Sequence, residues 1–439
     1  MRTARKGLLP RSVESSPELR TTFGGIVQNL QAPKRGKIYW AFRRRFFAGM
    51  LSSWRWFGPD DPVSLENVRE AGATGVVSAL DHIPTGEVWP ADEIVRRKEL
   101  IERHGLSWVV VESVPVHNHI KARTGESVRY TGNYCETIRN LGSAGIRRVC
   151  YNFMPVVDWT RTHLRHPAPD GGLALRFDMT TFVAFDVFVL ARRGAADDYD
   201  ARVVADAERA VHAMSAPDRE TLERTIIAGL PGGEGSYDRA GLLSALDDFA
   251  DLDADDLAEN LRLFLTEVVP AAEESGVKLA IHPDDPPIPL FGLPRVVSTA
   301  DDVRRLFADV PSAHNGLTFC SGSFGSRPDN DLVAMAVEFL DRIHFAHLRN
   351  VIRSDDGSFA ESGHLDGDID MVALIEVLHR HKDRDDLPCR PDHGLLYGPE
   401  KTAPNVRPGY SWAGRMKGLA ELKGLGSGLA LCIAPSKVH

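Results

Sequence analysis

Residues 277–325 read VKLAIHPDDPPIPLFGLPRVVSTADDVRRLFADVPSAHNGLTFCSGSFG. The segment opens on an apolar run, Val277–His282, and closes on another, Gly316–Cys320. Between them, Thr299–Ala308 sets apolar residues at the three- and four-residue spacing of a helix lying on a core. This is a strand–helix–strand unit, and each run ends in a residue able to bind a metal. Working outward, similar runs lie at Trp54–Phe57, Gly75–Leu80, Trp108–Val114, Arg148–Phe153, Ile343–Leu348 and Cys389–Asp392. Helix-compatible stretches separate most of them: Ala91–Arg103, Asn133–Leu141, Asp256–Glu274, Leu332–Leu340 and Met371–His381. Eight runs with helical crossovers predict an α/β fold, a closed (β/α)8 TIM barrel.

The chain has 439 residues, enough for two or three domains or for one decorated barrel. The interval from Asp158 to about Asp255 is too long for a single crossover. It holds a helix-like, acid-rich stretch, Ala196–Met214, and then Pro231-Gly232-Gly233. We read it as a helical insertion after the fourth strand, closing over the site or building a subunit contact. Residues 1–50 hold eleven Lys and Arg against two acidic residues, so the rest of the chain is more acidic than the overall net charge of −9. Residues 1–49 read as an irregular basic extension, with Met50 as an alternative start. The catalytic barrel is expected over 50–426, and a tail over 427–439.

Composition excludes several classes. Hydrophobic residues make up 43% and charged residues 26%, as in ordinary globular proteins. No run nears the ~18 uninterrupted apolar residues of a membrane span. The negative net charge argues against nucleic acid as a partner. Five cysteines at wide spacing, with no CxxC, argue for a reducing, cytoplasmic setting rather than a disulfide framework.

The chemistry concentrates at the C-terminal ends of the last four runs. His282 ends KLAIHPDDPP, Cys320 ends GLTFCSG, His347 ends RIHFAHLRN and Asp392 ends CRPDHG. Their separations, 38, 27 and 45 residues, are each near one strand–helix unit. In a barrel, such positions converge on one mouth. Any one of these residues alone would read as structural; four ligand types at equivalent strand ends read as a metal site. The soft thiolate suits Zn(II) or Fe(II) better than Mg(II), and a hydroxy-acid substrate would favour Fe(II) or Mn(II). Around them stand His82, Glu112, Asn152 and Asp158, with Arg161 and Arg349 as candidate carboxylate clamps. His393 adjoins Asp392, and Tyr410 follows a Pro408-Gly409 turn from which a phenol can reach the mouth.

Longer segments carry a resemblance. WRWFGPDDPVSLENVREAGATGVVSALDHIPTGEVW, VVESVPVH, CYNFMPVVDWTRT, IIAGLPG, LAIHPDDPP, GLPRVVST, FCSGSFG, HFAHLRN, HLDGDIDM, RPDHG and PGYSWAGRMKGLAEL run in order from Trp54 to Leu422. In them the chain resembles the mannonate dehydratase family. The resemblance implies a xylose-isomerase-like barrel that eliminates water from D-mannonate, giving 2-dehydro-3-deoxy-D-gluconate in hexuronate (D-glucuronate) breakdown. It implies Fe(II) or Mn(II) held by His282, Cys320, His347 and Asp392. It gives catalytic roles to His393 and Tyr410, with Tyr397 an alternative to Tyr410, and does not say which group is acid and which base. His82, Asn152, Arg161 and Arg349 are expected to bind the sugar acid, and the enzyme is expected to be a homo-oligomer. Asp81 stands where family members often carry His, Asn118 and His119 replace acidic residues, and the stretch after Gly426 departs from the usual final helix. An isomerase or epimerase on the same fold, or a binding protein that has lost activity, are the competing readings. Cys320 counts against the first, and the full set of ligand and acid–base candidates against the second.

Overall fold

The computed structural model describes residues 50–228, 237–380 and 387–433. Among them the strands are β1 (Met50–Arg55), β2 (Gly75–Ser78), β3 (Ser107–Glu112), β4 (Arg148–Tyr151), β5 (His163–Pro167), β6 (Leu173–Phe177), β7 (Lys278–Ile281), β8 (Asn315–Cys320), β9 (Ile343–His347), β10 (Val351–Arg353), β11 (Phe359–Glu361) and β12 (Leu387–Arg390). Eight of these close a barrel in the order β1-β12-β9-β8-β7-β4-β3-β2. Neighbours are parallel throughout, as helical crossovers require.

Local chemistry explains the elements. Thr299 caps helix Ala300–Asp309: its hydroxyl accepts from the Asp302 amide, and the Asp302 carboxylate accepts from the Thr299 amide at 2.8 Å. Helix Ala91–Arg103 has the bounds its spacing predicts, starting just after Pro90. Strand β1 begins four residues earlier than its apolar run because Ser52 and Ser53 are buried there; the Ser53 hydroxyl donates to the Cys389 carbonyl at 2.8 Å. Val77, Val110, Cys150 and Phe345 pack inside the barrel. A second, larger cluster, with Trp54, Phe264, Phe319 and Leu374, fills the space between strands and helices. Each such side chain contributes about 1.5–3 kcal/mol by leaving water.

The insertion carries helices Ala201–Ala213, Ala216–Ala228 and Arg239–Asp247, and it opens on a β-hairpin, β5–β6. That hairpin joins a second one, β10–β11, which leaves the barrel after β9, in an antiparallel sheet ordered β10-β11-β6-β5. Fully buried Asp186 pins the insertion. It accepts two hydrogen bonds from Arg192, at 2.9 and 2.7 Å, and one from the Tyr199 hydroxyl at 2.6 Å.

The separate tail expected from 427 is corrected: helix Trp412–Ile433 runs through that boundary. Gly426 faces His379, where a Cβ would stand 2.6 Å from Nε2. Gly426 thus lets the helix pack closely there, and tertiary contact outweighs its low propensity. The expected extension over 1–49 and the Pro231-Gly232-Gly233 turn lie outside the described residues. No helix among the described residues is long and apolar enough to cross a membrane.

Candidate active site

Strand register brings the site together. Cys320 pairs with His347, and His347 with Arg390, so β8, β9 and β12 present these residues side by side at the mouth. The donor atoms of His282, Cys320 and His347 lie within 4.8 Å of one another. The His282 Nδ1 lies 2.7 Å from the Pro283 carbonyl, which can only accept. Nδ1 therefore carries the proton, and the Nε2 lone pair is left for a ligand. The Nδ1 of buried His347 has no hydrogen-bond partner and lies 3.7 Å from Asp392 Oδ1. Cys320 Sγ, also buried, lies 3.5 Å from Asp392 Oδ2. Two imidazoles, a thiol and a carboxylate, with one buried nitrogen lacking a partner, fit a divalent transition-metal ion.

Asp392 stands at the centre of the charge. Its Oδ2 accepts from Arg349 Nε at 2.7 Å, and its Oδ1 lies 2.7 Å from Arg390 Nη2. Burial opposes its ionisation, but Arg390 foremost, then His393, His347 and Arg349, hold the carboxyl well below the usual carboxylate range. Glu112, at the end of β3, is likewise held low against burial, chiefly by Arg390 at 2.7 Å.

Beside this cluster, three side chains stand in series. The ring Nδ1 of His393 is 2.7 Å from Glu361 Oε1, and its Nε2 is 3.3 Å from the Tyr410 hydroxyl. Burial opposes the charge on Glu361, but His393 and Arg349 hold its carboxyl below the ordinary range. An ionised carboxylate accepts only, so His393 Nδ1 donates, and in the neutral ring Nε2 is left to accept from the phenol. Burial pushes the Tyr410 hydroxyl up, so it stays protonated at neutral pH. A backbone bond from the Gly394 amide to the Gly409 carbonyl, 2.7 Å, holds the two loops together, and Phe57 packs edge-on against the Tyr410 ring.

His282, Asp392, His393 and Tyr410 all open on one cleft of about 630 Å³, solvent at its mouth included. Of the four residues expected to bind substrate, Asn152 lines it. The other three do not line it. Arg161 is fully buried, donating to both oxygens of Asp285, at 2.7 and 3.2 Å, and to Glu361 at 3.0 Å. Arg349 is equally buried and bridges Asp285, Glu361 and Asp392. Carboxylates from elsewhere in the chain take up both guanidinium groups. The side chain of His82 is 55% exposed and lies 3.6 Å from Glu93, away from the cleft. The cations that do line the cleft are Arg55 and Arg390. Arg390 stands two residues before Asp392, and that alternation is a signal from which it could have been read. Tyr397 bonds Asp170 instead, outside the cleft lining.

The family pattern described as D-mannonate dehydratase (UxuA) matches residues 50–433. This chain belongs to the mannonate dehydratase family. It is 54% identical over 384 residues to the mannonate dehydratase of Saccharophagus degradans, covering 86% of this chain and 97% of that one. It is 52% identical over 383 residues to mannonate dehydratase 2 of Agrobacterium fabrum, covering 86% and 96%. The crystal structure of mannonate dehydratase from Streptococcus suis serotype 2 superposes with a TM-score of 0.69 at 34% identity, covering 88% of this chain and 96% of that one. The family resemblance and the barrel read from the sequence are both borne out.

Proposed function

We propose that the chain is a hydro-lyase that eliminates water from D-mannonate to give 2-dehydro-3-deoxy-D-gluconate, a step in hexuronate breakdown. The observation that carries this reading is the pair His393 and Tyr410, backed by Glu361, opening on the cleft that His282 and Asp392 also line. His282, Cys320, His347 and Asp392 would hold Fe(II) or Mn(II). When bound, that ion would withdraw electron density from the substrate carboxylate and 2-hydroxyl, so that the C2 proton is more easily lost.

The chain's own groups do the rest. His393 Nε2, unprotonated, takes the C2 proton. Tyr410, kept neutral by burial, gives its proton to the departing 3-hydroxyl, the C3–O bond breaks, and water leaves. The C2–C3 enol that remains tautomerises to the 2-keto, 3-deoxy acid. Arg55 is the better cation for the substrate carboxylate: it reaches Asp81 only at 3.7 Å, whereas Arg390 is tied to Glu112 and Asp392. Asn152, directly after β4, is placed in the same cleft to bind a substrate hydroxyl.

We further propose a cytoplasmic homo-oligomer. Free thiols at Cys135, Cys150, Cys320 and Cys389 support the reducing setting. Exposed Val337 and Val372, on two helices packed together, support the assembly, which light scattering tests. The functional reading is tested by replacing His393 with Asn and measuring metal content and D-mannonate turnover. The expected variant holds metal and keeps only a small residual turnover; unchanged turnover would falsify the assignment.

A further inference from the structure

We propose that Glu361 is a positioning residue for the dehydration: it fixes the ring and tautomer of His393 so that the Nε2 lone pair faces Tyr410 and the cleft. This rests on the catalytic reading of His393 given above.

Glu361 does not come from the barrel. It ends β11, where it pairs with Val351 of β10, and β11 pairs in turn with β6 of the insertion. The two hairpins therefore build a sheet whose inner strand β11 delivers a carboxylate to His393. That carboxylate is 3% exposed, and its Oε1 accepts three donors: His393 Nδ1 at 2.7 Å, Arg161 Nη2 at 3.0 Å and Arg349 Nη1 at 3.0 Å. The arginines anchor the carboxylate, and the carboxylate anchors the ring. An imidazole held this way has one tautomer, with Nδ1–H inward and Nε2 open, which is the form that can take a proton from substrate. Without the acceptor, the ring would be free to place its proton on Nε2 and present N–H where a lone pair is needed. Arg349 also bonds Asp392, so the same guanidinium ties the acid–base pair to the metal-type cluster.

A plainer role is open to Glu361: neutralising Arg161 and Arg349. The two roles separate in a double-mutant cycle with Glu361→Gln, His393→Asn and both together. The positioning role predicts that E361Q lowers kcat at least about 100-fold, in the range seen for outer partners of catalytic or ligating histidines. It also predicts KM within about threefold and metal content equal to wild type. In the H393N background, E361Q then brings no further loss of the residual rate. A full further loss there would mean that Glu361 acts independently of His393 and would overturn the proposal. So would an E361Q enzyme with wild-type kcat. If E361Q does not fold, Glu361→Asp decides: it keeps the charge for both arginines but draws the carboxylate back from Nδ1. A folded, metal-loaded E361D with kcat down tenfold or more upholds positioning, and one with wild-type kcat overturns it. Wild-type turnover in H393N alone would instead sink the His393 reading, a result distinct from any of these.

Discussion

Replacing Tyr410 with Phe separates chemistry from stability in this site. The phenol ring stays: it packs edge-on with Phe57 at 4.8 Å and with His393 at 5.1 Å between centroids. Only the hydroxyl goes, and its bond to His393 Nε2 is long at 3.3 Å. O–H donors usually sit at about 2.7–2.8 Å, so its loss belongs at the low end of the ~0.5–1.5 kcal/mol that a neutral hydrogen bond contributes. The reaction loses more. General acid catalysis is worth about 10²- to 10⁴-fold, or ~2.7–5.5 kcal/mol of transition-state stabilisation. Steady-state kinetics on metal-loaded Y410F should therefore show kcat down at least about 100-fold with KM little changed, while the urea midpoint moves only slightly. A kcat within threefold of wild type would refute Tyr410 as the acid. A collapse of stability together with activity would refute the separation.

Three other outcomes follow from particular contacts. Gly409 has φ +81°, and a Cβ there would stand 2.6 Å from Leu175 Cδ1; Gly409→Ala should cost about 1–2 kcal/mol in strain and lower kcat by moving Tyr410, both read on the purified variant. Asp186→Ala leaves the Tyr199 hydroxyl without its acceptor and Arg192 with Asp198 alone, and should lose about 1–3 kcal/mol in denaturant unfolding; no measurable change would show that the pin is not needed. Burial opposes ionisation of Asp285, but Arg161 and Arg349 hold its carboxyl below the unfolded value. Below about pH 4 the unfolded chain then binds the extra proton, so stability is full above that pH and falls as pH drops, by up to ~1.4 kcal/mol per unit for this group. Urea unfolding between pH 2 and 6 should show that slope, reduced in Asp285→Asn.

The barrel was legible because its strands are buried on both faces. Gly75–Ser78 is buried throughout, and Ser107–Glu112 holds the unbroken apolar run Trp108–Val111, so neither shows the alternation of a half-exposed strand. The second sheet was not legible. Strand β5, HLRHP, is a charged edge strand with alternating exposure, and β10 and β11 are three residues each, too short to show a period. That gap hid Glu361, whose place near His393 depends on sheet pairing between two distant excursions. The donor cluster was legible because His282, Cys320 and His347 end consecutive barrel strands or directly follow them. The placement of the arginines was not legible, for a physical reason. A cation near a strand end can face the cleft or a buried carboxylate, and Asp285 and Glu361, which claim Arg161 and Arg349, arrive from elsewhere in the chain.

The central claim is dehydration of D-mannonate by metal-assisted proton transfer, and proton NMR of the reaction tests it most directly. The purified chain, supplied with Mn(II) or Fe(II) and a reductant, should convert D-mannonate to 2-dehydro-3-deoxy-D-gluconate, seen as new methylene signals at C3, and EDTA should stop the conversion. An unchanged spectrum with metal present, or an epimerised or isomerised sugar acid that keeps its 3-hydroxyl, would contradict the account.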